Sequence, residues 1–244
     1  MKPIYTPKGA AKEYGDFAIN IYTGCPHRCY YCFAPSVLHK TREEFHSHVE
    51  PRLGIVEAVK EQLAREHITK KLIHLCFTCD PYPRGYDTTI TREIIELLKD
   101  TGNHVQILTK NGGDARRDFY LLDENDWFGV TYAGYPHGTL FRSPEAEPNA
   151  GFQIDRLAAL DAAHKLGIKT WVSMEPVLVE DDILEFLSLN VEYVNQYGIG
   201  KLNYHPSEID WASFGRKAER ICKARGLNYY IKDGLRREME LEEV

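Results

Sequence analysis

Apolar and polar positions along the chain follow two periods in turn. Short runs rich in β-branched and aromatic residues predict strands, and segments with apolar residues three and four positions apart predict helices between them. The predicted strands cover residues 17–22, 71–79, 104–109, 128–133, 169–174, 192–197 and 228–232. The predicted helices cover residues 51–67, 91–99, 114–122, 154–166, 181–189 and 211–225. This order amounts to about six βα units and a last strand, which is typical of a parallel sheet with right-handed crossovers.

The pattern contains no internal repeat beyond the βα unit and no segment that reads as a domain linker. We therefore expect one α/β domain over residues 1–244, with its core at about residues 16–234. A doubly wound sheet is a common arrangement for such alternation, whereas a closed eight-fold barrel needs more βα units than the pattern supplies. Residues 135–149 are rich in proline and glycine, which predicts a long loop of a kind that is often functional.

Composition narrows the class of protein. The chain has 244 residues, 43% of them hydrophobic, which suits a sizeable core. No run of about 18 apolar residues occurs, so we expect no membrane span, and residues 1–7 lack the apolar centre of a secretory signal. Six cysteines, three of them clustered, fit a reducing cytoplasm better than a disulfide framework. The net charge of −6 disfavours a broad duplex-binding surface but leaves room for local basic patches.

A cluster of candidate metal ligands lies directly after the first predicted strand. Cys25, Cys29 and Cys32 form a C-x-x-x-C-x-x-C triplet, with Tyr31 just before the last cysteine. Three thiolates at this spacing can hold three irons of a cubane cluster, and no fourth cysteine follows nearby. One iron would then remain open to a substrate or cofactor.

The triplet and its aromatic residue resemble the radical S-adenosylmethionine (SAM) superfamily. The resemblance implies a partial (β/α)6 barrel rather than a doubly wound sheet. It also implies a 4Fe–4S cluster on Cys25, Cys29 and Cys32, SAM chelated to the open iron, and reductive cleavage of SAM to a 5′-deoxyadenosyl radical. Tyr31 would pack against the adenine region of SAM, although ordinary loop packing explains an aromatic residue there as well. The implied partner is a reductant such as flavodoxin or ferredoxin.

Polar residues follow the apolar part of the second predicted strand, and in α/β barrels that end carries the chemistry. The superfamily often places a Gly-Gly-Glu run at this strand end to bind the SAM ammonium group, and none occurs here. Asp80, together with Thr78 or the backbone of Cys79, is the candidate replacement, because a carboxylate is a suitable partner for an ammonium group.

Three more candidate residues follow later strands. Lys110 would pair with the SAM carboxylate, although an exposed lysine before a turn explains the position nearly as well. Ser173 and Glu175 would reach the ribose or the amino-acid part of SAM, and Glu175 is alternatively part of a helix start. Cys79 is the candidate catalytic donor of a hydrogen atom to a product radical.

The run around Asp80, residues 108–111 and the pair Glu147 and Arg156 resemble the spore photoproduct lyase-like branch, which includes many proteins described only as DNA repair lyases. The resemblance makes a nucleic-acid lesion or base one candidate substrate; a protein side chain and a small metabolite stay open. Two departures weaken a photoproduct-lyase assignment. The cysteine that donates a hydrogen atom in that lyase aligns with Phe77 of this chain, and the chain is short for the DNA-binding hairpin that the lyase carries.

A zinc site is the competing explanation, and it implies a non-catalytic binding module. Cys29 and Cys32 form one CxxC pair, and Cys76 and Cys79 form another. This alternative leaves Cys25 unexplained. It also needs Cys76 and Cys79 on one face, whereas residues three apart in a strand point to opposite faces unless a sharp turn intervenes.

Overall fold

One parallel sheet of seven strands organises the protein, and the computed structural model describes residues 2–135 and 145–241. The strands are β1 (Phe17–Ile19), β2 (Leu72–Leu75), β3 (His104–Thr109), β4 (Trp127–Thr131), β5 (Lys169–Met174), β6 (Gln196–Ile199) and β7 (Tyr229–Ile231). Their spatial order follows the sequence from β1 to β7, and the described residues show no pairing between β1 and β7. A doubly wound sheet would reverse its strand order. The fold is therefore a partial barrel in a single α/β domain, as the resemblance implied.

The connections between the strands are mostly helical. The described helices are α1 (Ala34–Val37), α2 (Arg42–Ser47), α3 (Ile55–Glu66), α4 (Thr89–Asp100), α5 (Gly112–Ala115), α6 (Gln153–Lys165), α7 (Glu180–Leu189), α8 (Trp211–Arg225) and α9 (Asp233–Leu241), with 3₁₀ helices η1 (Gly9–Tyr14) and η2 (Arg116–Leu121). Right-handed crossovers in a sheet wound in one direction place the connecting helices on one face. Within the described ranges, none of these helices has the length and hydropathy to cross a membrane.

Local sequence explains most of these elements. β5 is buried along nearly its whole length, as expected for a parallel strand covered on both faces. α8 starts where Asp210 caps the amide of Ser213 at 2.9 Å, and it ends at Gly226, whose φ of 65° favours glycine. Strand register keeps the carboxyl ends together, since Ile19 pairs with Leu75 and Leu75 with Ile107.

Several predicted elements differ from the structure. β1 ends at Ile19 rather than at residue 22, and α3 begins at Ile55 rather than at residue 51. β2 ends at Leu75 rather than at Cys79, because Cys76 has a φ of 73°, which a strand does not accommodate. β6 begins four residues later than predicted, at Gln196. The helix predicted for 114–122 is α5 followed by η2. Most of the long loop predicted for 135–149 falls on residues 136–144, outside the described residues.

The N-terminal segment connects the two open edges of the sheet. Tyr5 and Ala18 exchange backbone hydrogen bonds of 3.0 and 2.9 Å along the free edge of β1. At the other edge, Glu13 accepts from the amide of Asp233 at 3.3 Å and lies 3.7 Å from the ammonium of Lys232. Tyr14 thereby lies inside the open barrel. Its ring centroid is 5.8 Å from that of Trp171.

Candidate functional site

A cavity of about 560 Å³ opens at the carboxyl ends of the strands. Nine of the ten residues predicted for the site line it: Cys25, Cys29, Tyr31, Cys32, Thr78, Cys79, Asp80, Lys110 and Glu175. The tenth, Ser173, is fully buried within β5 and is not part of the lining. The cysteine triplet and the strand-end polar residues therefore face one space, although they are far apart in sequence.

The three triplet cysteines are shielded from water. Cys29 is buried, and Cys25 and Cys32 are half-buried. Burial raises the pKa of all three thiols, that of Cys29 to about 12. Such thiols stay protonated unless a cation stabilises their thiolates. Three of them around one cavity fit a metal cluster, whose irons would supply that charge.

Tyr31 is anchored to the sheet by a buried ion pair. Its hydroxyl donates to Glu147 Oε1, while Glu147 Oε2 accepts from Arg156 Nη2 at 2.5 Å and from the hydroxyl of Tyr135 at 2.7 Å. Burial alone would raise the pKa of Glu147, but the charges of Arg156 and Lys110 outweigh it and lower the pKa to about 2. The carboxylate is ionised and fixes the ring between the second and third cysteines.

Lys110 extends into the cavity rather than into solvent. Its ammonium lies 5.6 Å from the centre of the Tyr31 ring and donates to Thr131 Oγ1 at 3.3 Å. Burial opposes the charged form, yet the negative charges of Cys29, when it is a thiolate, and of Glu147 raise the pKa of Lys110 above its ordinary value. The side chain is thus a cation beside the triplet, which suits an anionic group of a bound ligand.

Asp80 joins two strand ends. Its Oδ1 accepts from the amide of Tyr82 at 2.8 Å and from Thr109 Oγ1 at 2.6 Å, and its Oδ2 accepts from the amide of Lys110 at 2.8 Å. These bonds use most of its acceptor capacity, so Asp80 supports the cavity wall as well as lining it.

Nearby, the buried hydroxyl of Thr78 has no hydrogen-bond partner among the described residues. A polar ligand in the cavity fits this vacant donor and acceptor.

Cys76 and Cys79 come together, contrary to the expectation that they point to opposite faces. The turn that begins at Cys76 brings its thiol beside that of Cys79, and the amide of Tyr22 donates to Cys79 Sγ at 3.4 Å. Burial would raise the pKa of Cys79, but these neighbours lower it. The argument from strand periodicity was wrong because the strand ends before both residues.

The zinc alternative nevertheless lacks its geometry. Two thiolates on one zinc ion lie no more than about 4.6 Å apart, since each Zn–S bond is about 2.3 Å. Over residues 2–135 and 145–241, the one group of three ligand atoms within 4.8 Å of one another is His104, Asp123 and Asp126. The ammonium of Lys99 already contacts both carboxylates at 2.6 Å. The two CxxC pairs do not converge on one ion.

Glu175 lies within a second polar cluster of the cavity wall. Its Oε2 accepts from the hydroxyl of Tyr14 at 3.1 Å and pairs with Lys232 at 2.9 Å, while Oε1 accepts from Asn203 Nδ2 at 3.2 Å. Lys232 also lies 3.5 Å from the centre of the Tyr14 ring. Glu175 therefore does not begin a helix, because its carboxylate ties the end of β5 to the end of β7.

Sequence reasoning missed several residues that shape the site. Glu147 and Arg156 belong to the motif that resembles the lyase-like branch, but the motif assigns them no role. Lys232 and Tyr14 were not singled out, and neither was His27, whose buried ring lies 3.5 Å from Asp80 Oδ2 and has its pKa lowered by burial to about 4. No local signal marks the buried pair or the other residues, since Glu147 stands two positions after Glu145 and Arg156 directly follows Asp155.

A partial barrel with three closely spaced cysteines in the loop after its first strand is typical of one class of SAM-dependent enzymes. Residues 19–190 match the family model of the radical SAM superfamily. The chain belongs to this superfamily, whose cofactors are SAM and, characteristically, a 4Fe–4S cluster. Membership of this superfamily favours a cluster over the competing zinc module.

Curated relatives carry no assigned activity. Uncharacterised proteins of Mycobacterium bovis and Mycobacterium tuberculosis are 30% identical to the chain over 124 residues, which is 48% of this chain and 36% of theirs. The chain thus matches about a third of the length of these relatives.

Solved structures share the fold. Spore photoproduct lyase complexed with dinucleoside spore photoproduct matches with a TM-score of 0.68 and 13% identity, over 93% of this chain and 78% of that one. SuiB of Streptococcus suis bound to its precursor peptide SuiA matches with a TM-score of 0.61 and 14% identity, over 88% of this chain and 48% of that one. Identities this low establish the fold alone.

Proposed function

We propose that Cys25, Cys29 and Cys32 each bind one iron of a 4Fe–4S cluster and that the cavity binds SAM at the open iron. When bound, these groups supply reductive cleavage of SAM to a 5′-deoxyadenosyl radical, which abstracts hydrogen from the substrate. The observation that carries this proposal is the single cavity shared by the three cysteines and the strand-end polar residues.

The residues of the chain bind and orient SAM. Lys110, a cation beside the triplet, pairs with the SAM carboxylate, and the ring of Tyr31 packs against the adenine region. Thr78 offers its vacant hydroxyl to the ammonium group, and Asp80 offers its remaining acceptor position. Glu175 contacts the ribose or the amino-acid part.

Two further residues have roles that differ from direct binding of SAM. Ser173 acts on SAM only indirectly, because it lies buried within β5 behind the cavity wall. Cys79 donates a hydrogen atom to the product radical, and its position in the cavity lining supports this role.

For the substrate, we propose a nucleic-acid lesion or an unpaired base. Phe33, Val37 and Tyr204 line the cavity while 44%, 58% and 89% exposed, respectively. Exposed aromatic rings at a cavity mouth suit stacking on a base that lies outside a duplex. The fold likeness to a lyase complexed with a dinucleoside photoproduct agrees with this choice. A flavodoxin or ferredoxin would supply the electron, and a reducing compartment such as the cytoplasm suits this chemistry.

Anaerobic reconstitution tests the reaction. The protein loaded with iron and sulfide is expected to be brown and to convert SAM, with dithionite, into 5′-deoxyadenosine and methionine at a slow rate without substrate. Loaded protein that never forms 5′-deoxyadenosine would refute the proposal. Adding an ultraviolet-irradiated single-stranded oligonucleotide is expected to raise the rate. If peptides raised the rate of SAM cleavage and oligonucleotides did not, the substrate would be a peptide rather than a nucleic acid.

A further inference from the structure

Helix α2, the second helix after the cluster loop (residues 23–32), contacts both the amide and the carbonyl group of the first cysteine of the triplet. His46 Nδ1 lies 2.7 Å from the carbonyl oxygen of Cys25, and the amide of Cys25 donates to the carbonyl of Phe45 at 3.3 Å. A carbonyl oxygen only accepts, so His46 carries a proton on Nδ1. The peptide groups around Cys25 are therefore held by two consecutive residues of one helix.

The same helix holds the other two cysteines through one side chain. Arg42 Nη2 donates to the carbonyl of Cys29 at 2.6 Å, and Arg42 Nη1 donates to the carbonyl of Cys32 at 3.4 Å. A guanidinium presents its donors in a rigid, planar fork, so it can set the distance between two acceptors, which the single ammonium of a lysine cannot do.

The loop and α2 are also in direct backbone contact. A Cβ atom at Gly24 would lie 2.2 Å from the carbonyl oxygen of Phe45 and 2.5 Å from that of His48. Only glycine permits this approach. At the outer side, Arg28 of the loop forms an exposed, two-bond ion pair with Glu43, each bond 3.1 Å long.

We infer that α2 is a brace for the cluster loop, in which Arg42 and His46 are positioning residues that fix the carbonyls of all three cysteines. This inference rests on the proposed function.

Arg42 has a second effect, because its charge lies beside the backbone of two cluster ligands. A reduced cluster carries one more negative charge than an oxidised cluster, so a nearby cation stabilises it. Arg42 thereby raises the reduction potential of the cluster.

Four variants of the reconstituted full chain test the brace. Arg42→Gln removes the charge and the fork, and Arg42→Lys removes the fork but keeps the charge. His46→Leu removes the donor, whereas His46→Asn keeps an amide donor near the position of Nδ1. Arg92→Gln is the matched control, because Arg92 pairs with Asp118 at 2.7 Å and is not part of the cavity lining. The measurements are iron per chain, the electron paramagnetic resonance spectrum of the reduced cluster and its midpoint potential.

We expect Arg42→Gln to lower iron content and to shift the midpoint potential of the remaining clusters to more negative values. Arg42→Lys is expected to restore the potential but not the iron content, and His46→Asn is expected to retain more iron than His46→Leu. The brace would be wrong, and the proposed function unaffected, if the Arg42→Gln and His46→Leu variants kept the parent's iron content, spectrum and midpoint potential. A parent protein that binds no iron would refute the proposed function as well.

Discussion

The hydroxyl of Tyr31 donates a hydrogen bond to Glu147, which lies 116 positions further along the chain. The bond connects the cluster loop to the buried ion pair between Glu147 and Arg156. Because both charged groups are almost fully buried, each depends on the other to offset the loss of hydration. The position of an aromatic ring in the site is thus coupled to the stability of the domain.

Glu147→Gln is expected to lower the free energy of unfolding by about 3–5 kcal/mol, because it leaves the buried guanidinium of Arg156 without a counter-charge. Denaturant titration of the full chain measures this change. Asp161→Asn is the control, since it breaks an exposed ion pair with Lys165 on α6 and is expected to cost no more than about 1 kcal/mol. Equal effects of the two substitutions would contradict the argument.

Replacement of Cys25, Cys29 or Cys32 with alanine is expected to abolish most iron binding after anaerobic reconstitution, because each change removes one of three protein thiolates. Iron and sulfide per chain are the measurements. Cys222→Ala, within α8 and outside the cavity lining, is expected to bind as much iron as the parent. Full iron in all three triplet variants would show that these cysteines are not the ligands.

Lys110→Met is expected to weaken SAM binding about ten-fold or more, since a charge-assisted contact contributes about 1.5–3 kcal/mol. Iron content is expected to stay unchanged. Equilibrium binding of SAM to reconstituted protein measures the effect, with Lys60→Met on the exposed side of α3 as the control. Undiminished affinity in Lys110→Met would assign the SAM carboxylate to another residue.

The variants Asp80→Asn and Thr78→Val distinguish a residue that supports the cavity wall from a residue that only contacts SAM. Asp80→Asn is expected to reduce both SAM affinity and the free energy of unfolding, because the amide cannot accept every bond that the carboxylate accepts. Thr78→Val is expected to reduce SAM affinity alone, since its hydroxyl has no partner among the described residues. Binding and denaturation are measured on both variants. A loss of stability in Thr78→Val with normal affinity would reverse the assignment.

The protein is expected to lose stability as the pH falls from about 6.5 to about 4, with His74 as one cause. Burial lowers the pKa of His74 from 6.5 to about 4, so the unfolded chain binds a proton in this window and the folded chain does not. The pKa difference amounts to at most about 3 kcal/mol. His74→Gln stays neutral and is expected to flatten the pH dependence of unfolding. An unchanged slope in that variant would exclude His74 as a cause.

Local signals sufficed to set the bounds of three of the regular elements. β3, β5 and α8 have the predicted bounds, because their apolar periods, a capping aspartate and a terminal glycine all act within a few residues. The left-handed backbone at Cys76 has no such signal, so β2 was predicted too long. α2 spans only six residues, which is too short for a helical period to be recognised.

The site was predictable where its chemistry is concentrated in sequence. The triplet is a local motif, and the residues at strand ends follow from the shared edge of a parallel sheet. The partners of Tyr31 and Glu175 are not local, since Glu147 and Lys232 reach them only through the fold. Whether Asp80 binds a ligand or supports the wall likewise depends on hydrogen bonds that a sequence does not display.

The cavity wall combines Cys25 with Glu175 at the end of β5, which Lys232 holds in place from the end of β7. A ribosome makes Lys232 about 200 residues after the triplet, which takes roughly 10–40 s at 5–20 residues per second. During that interval the thiols have no complete barrel to shield them from oxidants or stray metals. On the proposed function, the complete cavity that would enclose a cluster exists only once β7 has been made, so we expect cluster insertion to follow the synthesis of β7.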